Sequence, residues 1–308
     1  MLESFVVVGT NVLIIFILII VGFVCGKLKM ISDEGIKTMN NIMLNVVTPC
    51  VIISSLQQEF NNTLLRNFLI AIVSAVLSHL LSYLIGLVII RDRDESRKKT
   101  LQFAAIFSNC GFMALPLIEA ICGKEGLFYG TAYIVVINLI AWSCGVRLMS
   151  EDKSAKSVKK AIINPGVIPS IIGLVLFALS ISLPSIILTP MEHFAGLNTP
   201  VPMLIIGYTI SKLDVKDYIN LKDIWPSLLI RLLITPAILL CVLYAFGVRG
   251  ILLTTCIISA STPVAAMTTM FSIKFDRDYS LASKLVAVSS LFSVVTMTVI
   301  VSVAKFLS

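Results

Sequence analysis

Two polar strings interrupt long apolar runs in this sequence. One reads Ser-Asn-Cys-Gly-Phe-Met-Ala-Leu-Pro from Ser108 to Pro116, and the other reads Ser-Ala-Ser-Thr-Pro from Ser259 to Pro263. Both lie near the middle of segments long enough to cross a bilayer core of about 30 Å. Proline removes a backbone donor and clashes with the preceding turn, so each string predicts a broken helix. A break inside lipid requires protein or a wet cavity around the freed groups, and two central breaks therefore predict a cavity.

The helix halves that follow the two breaks favour an anion in this cavity. Each would point its amide end, which carries a partial positive charge, at the middle of the membrane. The alternative is a pair of kinked helices whose freed carbonyls are bound by serine and threonine. In that case Asn45, Asn109 and Asn198 would hydrogen-bond neighbouring helices and not a ligand.

Three ionisable residues in or beside the apolar segments are candidates for coupling, because such residues are expensive in lipid. His79 lies at the centre of an apolar run and would carry a coupled proton. Arg231 would counter an anionic substrate, and Glu119 follows Pro116 by one helical turn. The alternatives are a neutral hydrogen-bonded His79, a structurally paired Arg231 and an interfacial Glu119.

The composition indicates an all-α polytopic membrane protein. Of 308 residues, 57% are hydrophobic and only 13% are charged, and the mean hydropathy is +1.00. A soluble domain has about 25% charged residues, and the continuous apolar runs exclude a membrane β-barrel. The net charge of +7 is spread over short loops, so nucleic acid is not an expected partner. We find no enzyme motif, and no cysteine or histidine spacing that predicts a metal or cofactor.

Ten spans account for the apolar segments. We number the loops between spans as connections, so that the odd-numbered connections follow spans 1, 3, 5, 7 and 9. Nineteen of the 24 lysines and arginines fall in these odd-numbered connections, which predicts that they are cytoplasmic and that both termini lie on the outer side of the cell membrane. The predicted spans cover residues 5–25, 42–56, 68–90, 101–122, 127–146, 167–183, 194–211, 225–246, 251–271 and 285–304.

The second and fourth members of each set of five spans contain the interrupting prolines. These are Pro49, Pro116, Pro200 and Pro263. A five-span repeat crosses the membrane an odd number of times, so its second copy would be inverted, as in many transporters. We therefore divide the chain into a first repeat (residues 1–150), a short cytoplasmic linker (151–163) and an inverted second repeat (164–308).

The strings SNCGFMALPLIEA, STPVAAMTTMFS and LNVVTPCVIISSL resemble the auxin efflux carrier family, and especially its short bacterial members described as malate or organic-acid permeases. The resemblance implies a fold similar to that of bile-acid symporters. Spans 1, 2, 6 and 7 would form a scaffold, and spans 3–5 and 8–10 a transport domain. Spans 4 and 9 would be broken and would cross at their prolines, with the substrate beside them.

The resemblance also implies the site residues. Serine and threonine stand in span 9 where a second asparagine-like residue is expected, and span 3 offers only His79 where charged residues are described. Both departures count against auxin itself and against a carboxylate coupling site. The implied site consists of Asn109, Gly111, Pro116, Ser261, Thr262, Pro263 and Val264, with Asn45, Val47, Thr48 and Asn198 on the scaffold.

The sequence thus predicts a secondary active transporter that moves a small organic anion, such as malate or an auxin-like acid, by alternating access. One alternative is a sodium-coupled symporter of similar fold, and another is a membrane receptor that transports nothing. The expected partners are the anion, the lipid bilayer and a proton or sodium ion. A homodimer is compatible with the sequence, which leaves open the substrate identity, the direction of transport, the coupling ion and the oligomeric state.

Overall fold

The computed structural model describes residues 2–150, 167–212 and 222–308. Within these ranges the regular structure is helical, apart from one isolated β-bridge between Ser108 and Val264. Six of the described helical segments are long and apolar enough to cross a membrane, and shorter apolar helices accompany them. A multi-pass helical membrane protein, as the composition predicted, is therefore confirmed. The predicted linker at 151–163 lies outside the described residues.

Seven helices make up the first half of the chain. Short polar side chains fix where several of them begin, because an N-cap oxygen satisfies a free amide of the first turn. Ser32 accepts from Gly35 N at 3.0 Å, and Asp94 accepts from Ser96 N at 2.8 Å. The helices are α1 (Leu2–Lys27), α2 (Asp33–Ile42), α3 (Thr48–Ser55), α4 (Asn62–Ile89), α5 (Glu95–Ile106), α6 (Leu115–Ile140) and α7 (Val146–Met149).

Eight further helices are described in the second half. The last begins after Asp278, whose carboxylate accepts from Leu281 N at 2.8 Å. The helices are α8 (Val167–Ala178), α9 (Ser185–Ala195), α10 (Pro200–Ser211), α11 (Trp225–Leu229), α12 (Thr235–Ala245), α13 (Gly250–Ser261), α14 (Met267–Lys274) and α15 (Tyr279–Leu307).

Wide π turns connect several of these helices. The turn Met43–Val47 joins α2 to α3, so that span 2 is one continuous helix and the predicted break at Pro49 is wrong. The Thr48 amide reaches back to Met43 O, and this wider turn accommodates a proline that would disrupt an ordinary α-helix. The other π turns of the described residues are Cys110–Ala114, Ala141–Gly145 and Ile230–Ile234.

The chain reverses direction inside α6. Gly123 has φ of 64° and ψ of −159°, which is not helical and suits only glycine. Gly130 packs against the side chains of Leu115 and Ile118. In a straight helix Leu115 and Gly130 would be about 22 Å apart, so the two parts of α6 form an antiparallel pair.

The connections between helices gather at two ends of the molecule. At one end Gln58, after α3, donates to Lys124 O at 2.9 Å, and Leu183 N, after α8, donates to Gln57 Oε1 at 2.8 Å. At the other end, which we term the basic end, Arg97 contacts the acidic residues that precede α5, α11 and α15, namely Asp92, Asp223 and Asp278. Helix α4 runs the full distance between the two ends.

Helices α1 and α10 pack with their backbones in contact. A Cβ atom at Gly22 would lie 2.7 Å from Leu204 Cα, and one at Gly207 would lie 2.6 Å from Phe23 N. Gly26 likewise lies against the Ser211 side chain. Small residues that let backbones approach in this way are typical of helix contacts in membranes.

Candidate functional site

Helices α5 and α13 end side by side in the interior. The extended segments that follow them pair as an antiparallel bridge, in which Asn109 N donates to Pro263 O at 2.8 Å and Ala265 N donates to Phe107 O at 2.9 Å. These bonds satisfy backbone groups that the two breaks set free. We call this pairing the crossover, and it lies where helices α5 and α13 end, at the two polar strings that predicted a break.

The position of the crossover in span 4 differs from the predicted one. The chain crosses at Ser108 and not at Pro116, because Phe107 leaves the helical conformation with φ of −96° and ψ of 119°. Pro116 follows the π turn Cys110–Ala114 without a break, and the wider turn accommodates this proline as the turn Met43–Val47 accommodates Pro49. In span 9 the crossover does include the predicted Pro263 and Val264.

Arg231 holds the two helices that end at the crossover. Its Nη1 donates to Ile106 O, in the last turn of α5, at 3.1 Å, and its Nη2 donates to Ala260 O, in the last turn of α13. The side chain is 1% exposed and projects from the π turn Ile230–Ile234. Such turns occur often at functional sites. The predicted anion-facing arginine therefore binds carbonyl oxygens of both broken helices.

Asn109 lies where the second half of span 4 begins. It is 4% exposed, and its Nδ2 has no hydrogen-bond partner within the described part of the chain. The neighbouring Gly111 faces open space, since a Cβ atom there would meet nothing within 4 Å. Ser261 and Thr262 are fully buried and turn their hydroxyls back to their own helix. Asn109 thus brings to the crossover an amide donor that has no partner within the described residues.

The predicted scaffold residues are only partly gathered here. Asn198 donates to Gly111 O at 3.4 Å, which joins the turn before α10 to the crossover. The π turn that contains Asn45 and Val47 packs against the Gly196–Asn198 turn. Val47 is buried, whereas Asn45 is exposed and donates to Asn41 O of its own helix at 2.9 Å. Thr48 is half-buried in the turn that follows.

His79 is buried in α4 beside the crossover. Its Nδ1 lies 2.7 Å from Ala75 O, and its ring centre lies 5.9 Å from that of Phe107. The Nε2 atom has no hydrogen-bond partner among residues 2–150, 167–212 and 222–308. One nitrogen is therefore fixed by the helix, and the other has no partner within the described residues, in a ring that lies beside Phe107.

Glu119 lies apart from the crossover, on an open cavity. It is exposed and lines a space of about 250 Å³ together with Asn11, Pro116 and Thr199. This cavity lies between α1, the start of α6 and the start of α10. It is therefore lined by the helix that follows the break in span 4 and by two elements of the predicted scaffold.

Two sets of polar contacts were not predicted from the sequence. Ser289 of α15 accepts a hydrogen bond from Val264 N at 3.0 Å. The serines of α15 are visible in the sequence and were the signal available for this contact. At the basic end, Asp94 N and the Arg97 guanidinium bind Asp92 and lower the pKa of its carboxyl below the ordinary value.

Comparison with known proteins identifies the family of this chain. The family described as membrane transport protein matches residues 7–158 and 152–301. A protein named as an uncharacterized transporter of Methanothermobacter thermautotrophicus is 26% identical over 293 residues, which cover 93% of this chain and 95% of that one. Another uncharacterized transporter, of Methanocaldococcus jannaschii, is 23% identical over 294 residues, or 92% of this chain and 94% of its own. The chain therefore belongs to this family of membrane transport proteins, the auxin efflux carrier family that its polar strings resemble.

Proposed function

We propose that the protein is a secondary active transporter that carries a small organic anion, a carboxylate such as malate or an auxin-like acid, across the cell membrane by alternating access. The observation that carries the proposal is the crossover. It brings the ends of four half-helices, a buried guanidinium and an amide with a free donor into one region.

The charges at the crossover support an anion. The segments that start after the breaks point their amide ends inward, and each helix N-terminus carries about half a positive elementary charge. Asn109 adds a donor that has no partner in the described ranges. No described ion pair involves Arg231, and its charge is directed at the carbonyl ends of α5 and α13. A carboxylate substrate would therefore be bound by the Asn109 amide and the amide ends of the two helices that follow the breaks.

The contacts between connections support a ten-span arrangement of two inverted repeats, residues 1–150 and 164–308. In that arrangement even connections lie at one end and odd connections at the other. Gln58 and Lys124 belong to the second and fourth connections, and they are in contact. Arg97 and Asp278 flank the third and ninth, and they are also in contact. The basic residues of the odd connections support a cytoplasmic position for that end and an outside position for both termini.

Two separate sets of contacts support the division into moving parts. Arg97 links the residues that directly precede spans 4, 8 and 10, and these three spans belong to the proposed transport domain. Spans 1, 2 and 7 of the proposed scaffold are joined by the packing of α1 on α10, and by Tyr208 and Lys212, which bind Asp33 at 2.7 and 3.5 Å. The cavity at Glu119 lies between the two parts, where relative movement would expose the crossover.

Uptake into proteoliposomes tests the proposal. The purified protein should accumulate one or more members of a panel of mono- and dicarboxylates, and Asn109→Ala should fold normally yet lose most of this uptake. The matched control is Asn138→Ala, because Asn138 is a half-buried asparagine in an apolar helix that donates to Ile134 O of its own helix at 2.8 Å. Equal uptake by the two variants would remove Asn109 from the site. Binding of a carboxylate without any flux would instead favour a receptor.

A further inference from the structure

The crossover concentrates partial negative charge on one side. Helices α5 and α13 both end there, and the C-terminus of each carries about half a negative elementary charge. The carbonyl groups of Ile106 and Ala260 face a common point. Together the two helix ends are equivalent to roughly one negative charge, which in a buried region requires a cation.

Carbonyl oxygens at the ends of broken helices are ligands that suit a small cation such as sodium. In this protein the common point is filled by the Arg231 side chain, which is 1% exposed. Its two terminal nitrogens contact one helix end each, while Nε has no partner within the described residues. The guanidinium group is planar and presents its two terminal nitrogens as a rigid fork. This fork joins the two helix ends that a bound ion would otherwise join.

The π turn gives Arg231 this position. The Thr235 amide reaches back five residues to Ile230 O, so the turn is wider than that of an α-helix and shifts the residues that it contains around the axis. Pro236 follows in the first turn of α12. The arginine is thus held by a local feature of its own helix as well as by the two carbonyl groups.

We infer that the crossover contains a cation site whose occupant is the chain's own Arg231 guanidinium, and that it therefore requires no sodium ion. Removal of the guanidinium should leave a site for a small external cation, and the guanidinium ion itself should fit best. Neither the site nor its test depends on which solute is carried.

The charge requirement is tested with Arg231→Lys and Arg231→Met, compared by thermal melting of the purified protein. The lysine variant keeps the positive charge but not the two-pronged fork, so its melting temperature should lie between those of the parent and the methionine variant. The methionine variant keeps bulk without charge and should lose most of the folded protein. Equal melting of the two variants would show that the positive charge does not stabilise the protein, and would overturn the inference.

The site itself is tested by chemical rescue of Arg231→Ala. Millimolar guanidinium chloride should raise the melting temperature and the folded yield of this variant, whereas urea, a neutral molecule of the same shape, should not. The parent and Arg249→Ala should respond to neither, because Arg249 is exposed and stacks on Tyr244 with its Cζ 3.5 Å from the ring centre. Replacement of sodium by choline should leave the parent unchanged. Equal effects of guanidinium and urea on Arg231→Ala, or a parent that requires sodium, would contradict the inference.

Discussion

The contact between α1 and α10 and the crossover between α5 and α13 both bring two stretches of backbone together, but they use different residues. At the first contact the backbone of α1 is unbroken, so its peptide groups are bonded internally and glycines allow the close approach. At the crossover both helices stop, and the freed groups are bound by the partner segment, by Arg231 and by Ser289. A continuous helix offers a solute no donor, whereas an interrupted helix offers several.

This difference separates mechanical support from chemistry within one membrane protein. The α1–α10 contact depends on dispersion attraction between closely packed atoms. A single added Cβ atom would push the two helices apart and remove that attraction. The crossover depends on polar groups, and one of them, the Asn109 amide, is left without a partner in the described residues. Substitutions in the first region should therefore act on folding, and substitutions in the second should act on binding and transport.

The largest expected effect is that of Gly207→Ala. A Cβ atom at this position would lie 2.6 Å from Phe23 N and closer still to Ile19 O. Both are backbone atoms that cannot move without shifting a helix. We expect a loss of about 3 kcal/mol or more and little folded protein in fluorescence-detected size-exclusion chromatography.

Gly196→Ala is the matched control for this experiment, because a Cβ atom at Gly196 would meet nothing within 4 Å. Alanine is otherwise favoured over glycine in helices by about 1 kcal/mol. A Gly207→Ala protein as stable as the Gly196→Ala control would mean that α1 and α10 are not packed as described.

The second expected effect concerns transport and not folding. If a proton moves with the anion, His79 is the leading candidate carrier, because its Nε2 has no hydrogen-bond partner within the described residues and its ring lies beside Phe107 of the crossover. A bound anion and a protonated imidazole would stabilise each other, which couples the two by linkage. His79→Gln should therefore flatten the pH dependence of uptake while substrate binding persists.

His193→Gln provides the control for that experiment. His193 is the other histidine of the chain and is exposed in α9, so its variant should keep the pH profile of the parent. If His79→Gln also keeps that profile, the proton does not travel through His79, and Glu119 on the open cavity is the next residue to test.

Local chemistry explains why the polar strings could be found in the sequence. Serine, asparagine and proline inside an apolar run conflict with an uninterrupted membrane helix, and this conflict is visible without a structure. The strings around Asn109 and Pro263 predicted two breaks, and the structure has both. The prediction failed at Pro49, because a π turn absorbs that proline and nothing in its neighbours distinguishes this outcome from a break.

The partners of Arg231 could not be predicted for a different reason. An arginine in a membrane segment usually predicts a carboxylate or an anion nearby. Here its acceptors are backbone carbonyls of Ile106 and Ala260, 125 and 29 residues away in the sequence. Backbone oxygens have no residue type, so only the meeting of two helix ends in space reveals them. Ser289 was missed for a related reason, since its partner is the amide of Val264.

The smallest expected effect lies at the basic end, where Arg97 contacts three carboxylates. Its Nε lies 3.3 Å from Asp92, and its terminal nitrogens lie 3.0 Å from Asp223 and 3.5 Å from Asp278. These groups are partly exposed, so Arg97→Gln should cost only about 1 kcal/mol at neutral pH and low salt. Melting in high salt should shrink the difference between variant and parent, because salt screens exposed charges.

The acid dependence of this network has a definite sign. Asp94 N and Arg97 lower the pKa of Asp92 below its ordinary value of 3.8, so the folded state favours the charged carboxylate. Its stabilisation is therefore complete above that ordinary value, and is lost as the pH falls through the lower pKa of the folded state. The loss of stability caused by Arg97→Gln should persist down to about pH 4 and diminish below it.

Lys98→Gln is the control, since Lys98 pairs only with Glu95 of its own helix, at 3.6 Å, among the described ion pairs. An equal deficit in both variants would indicate that Arg97 does not join the three connections, and that the proposed transport domain is held together by its buried helices alone.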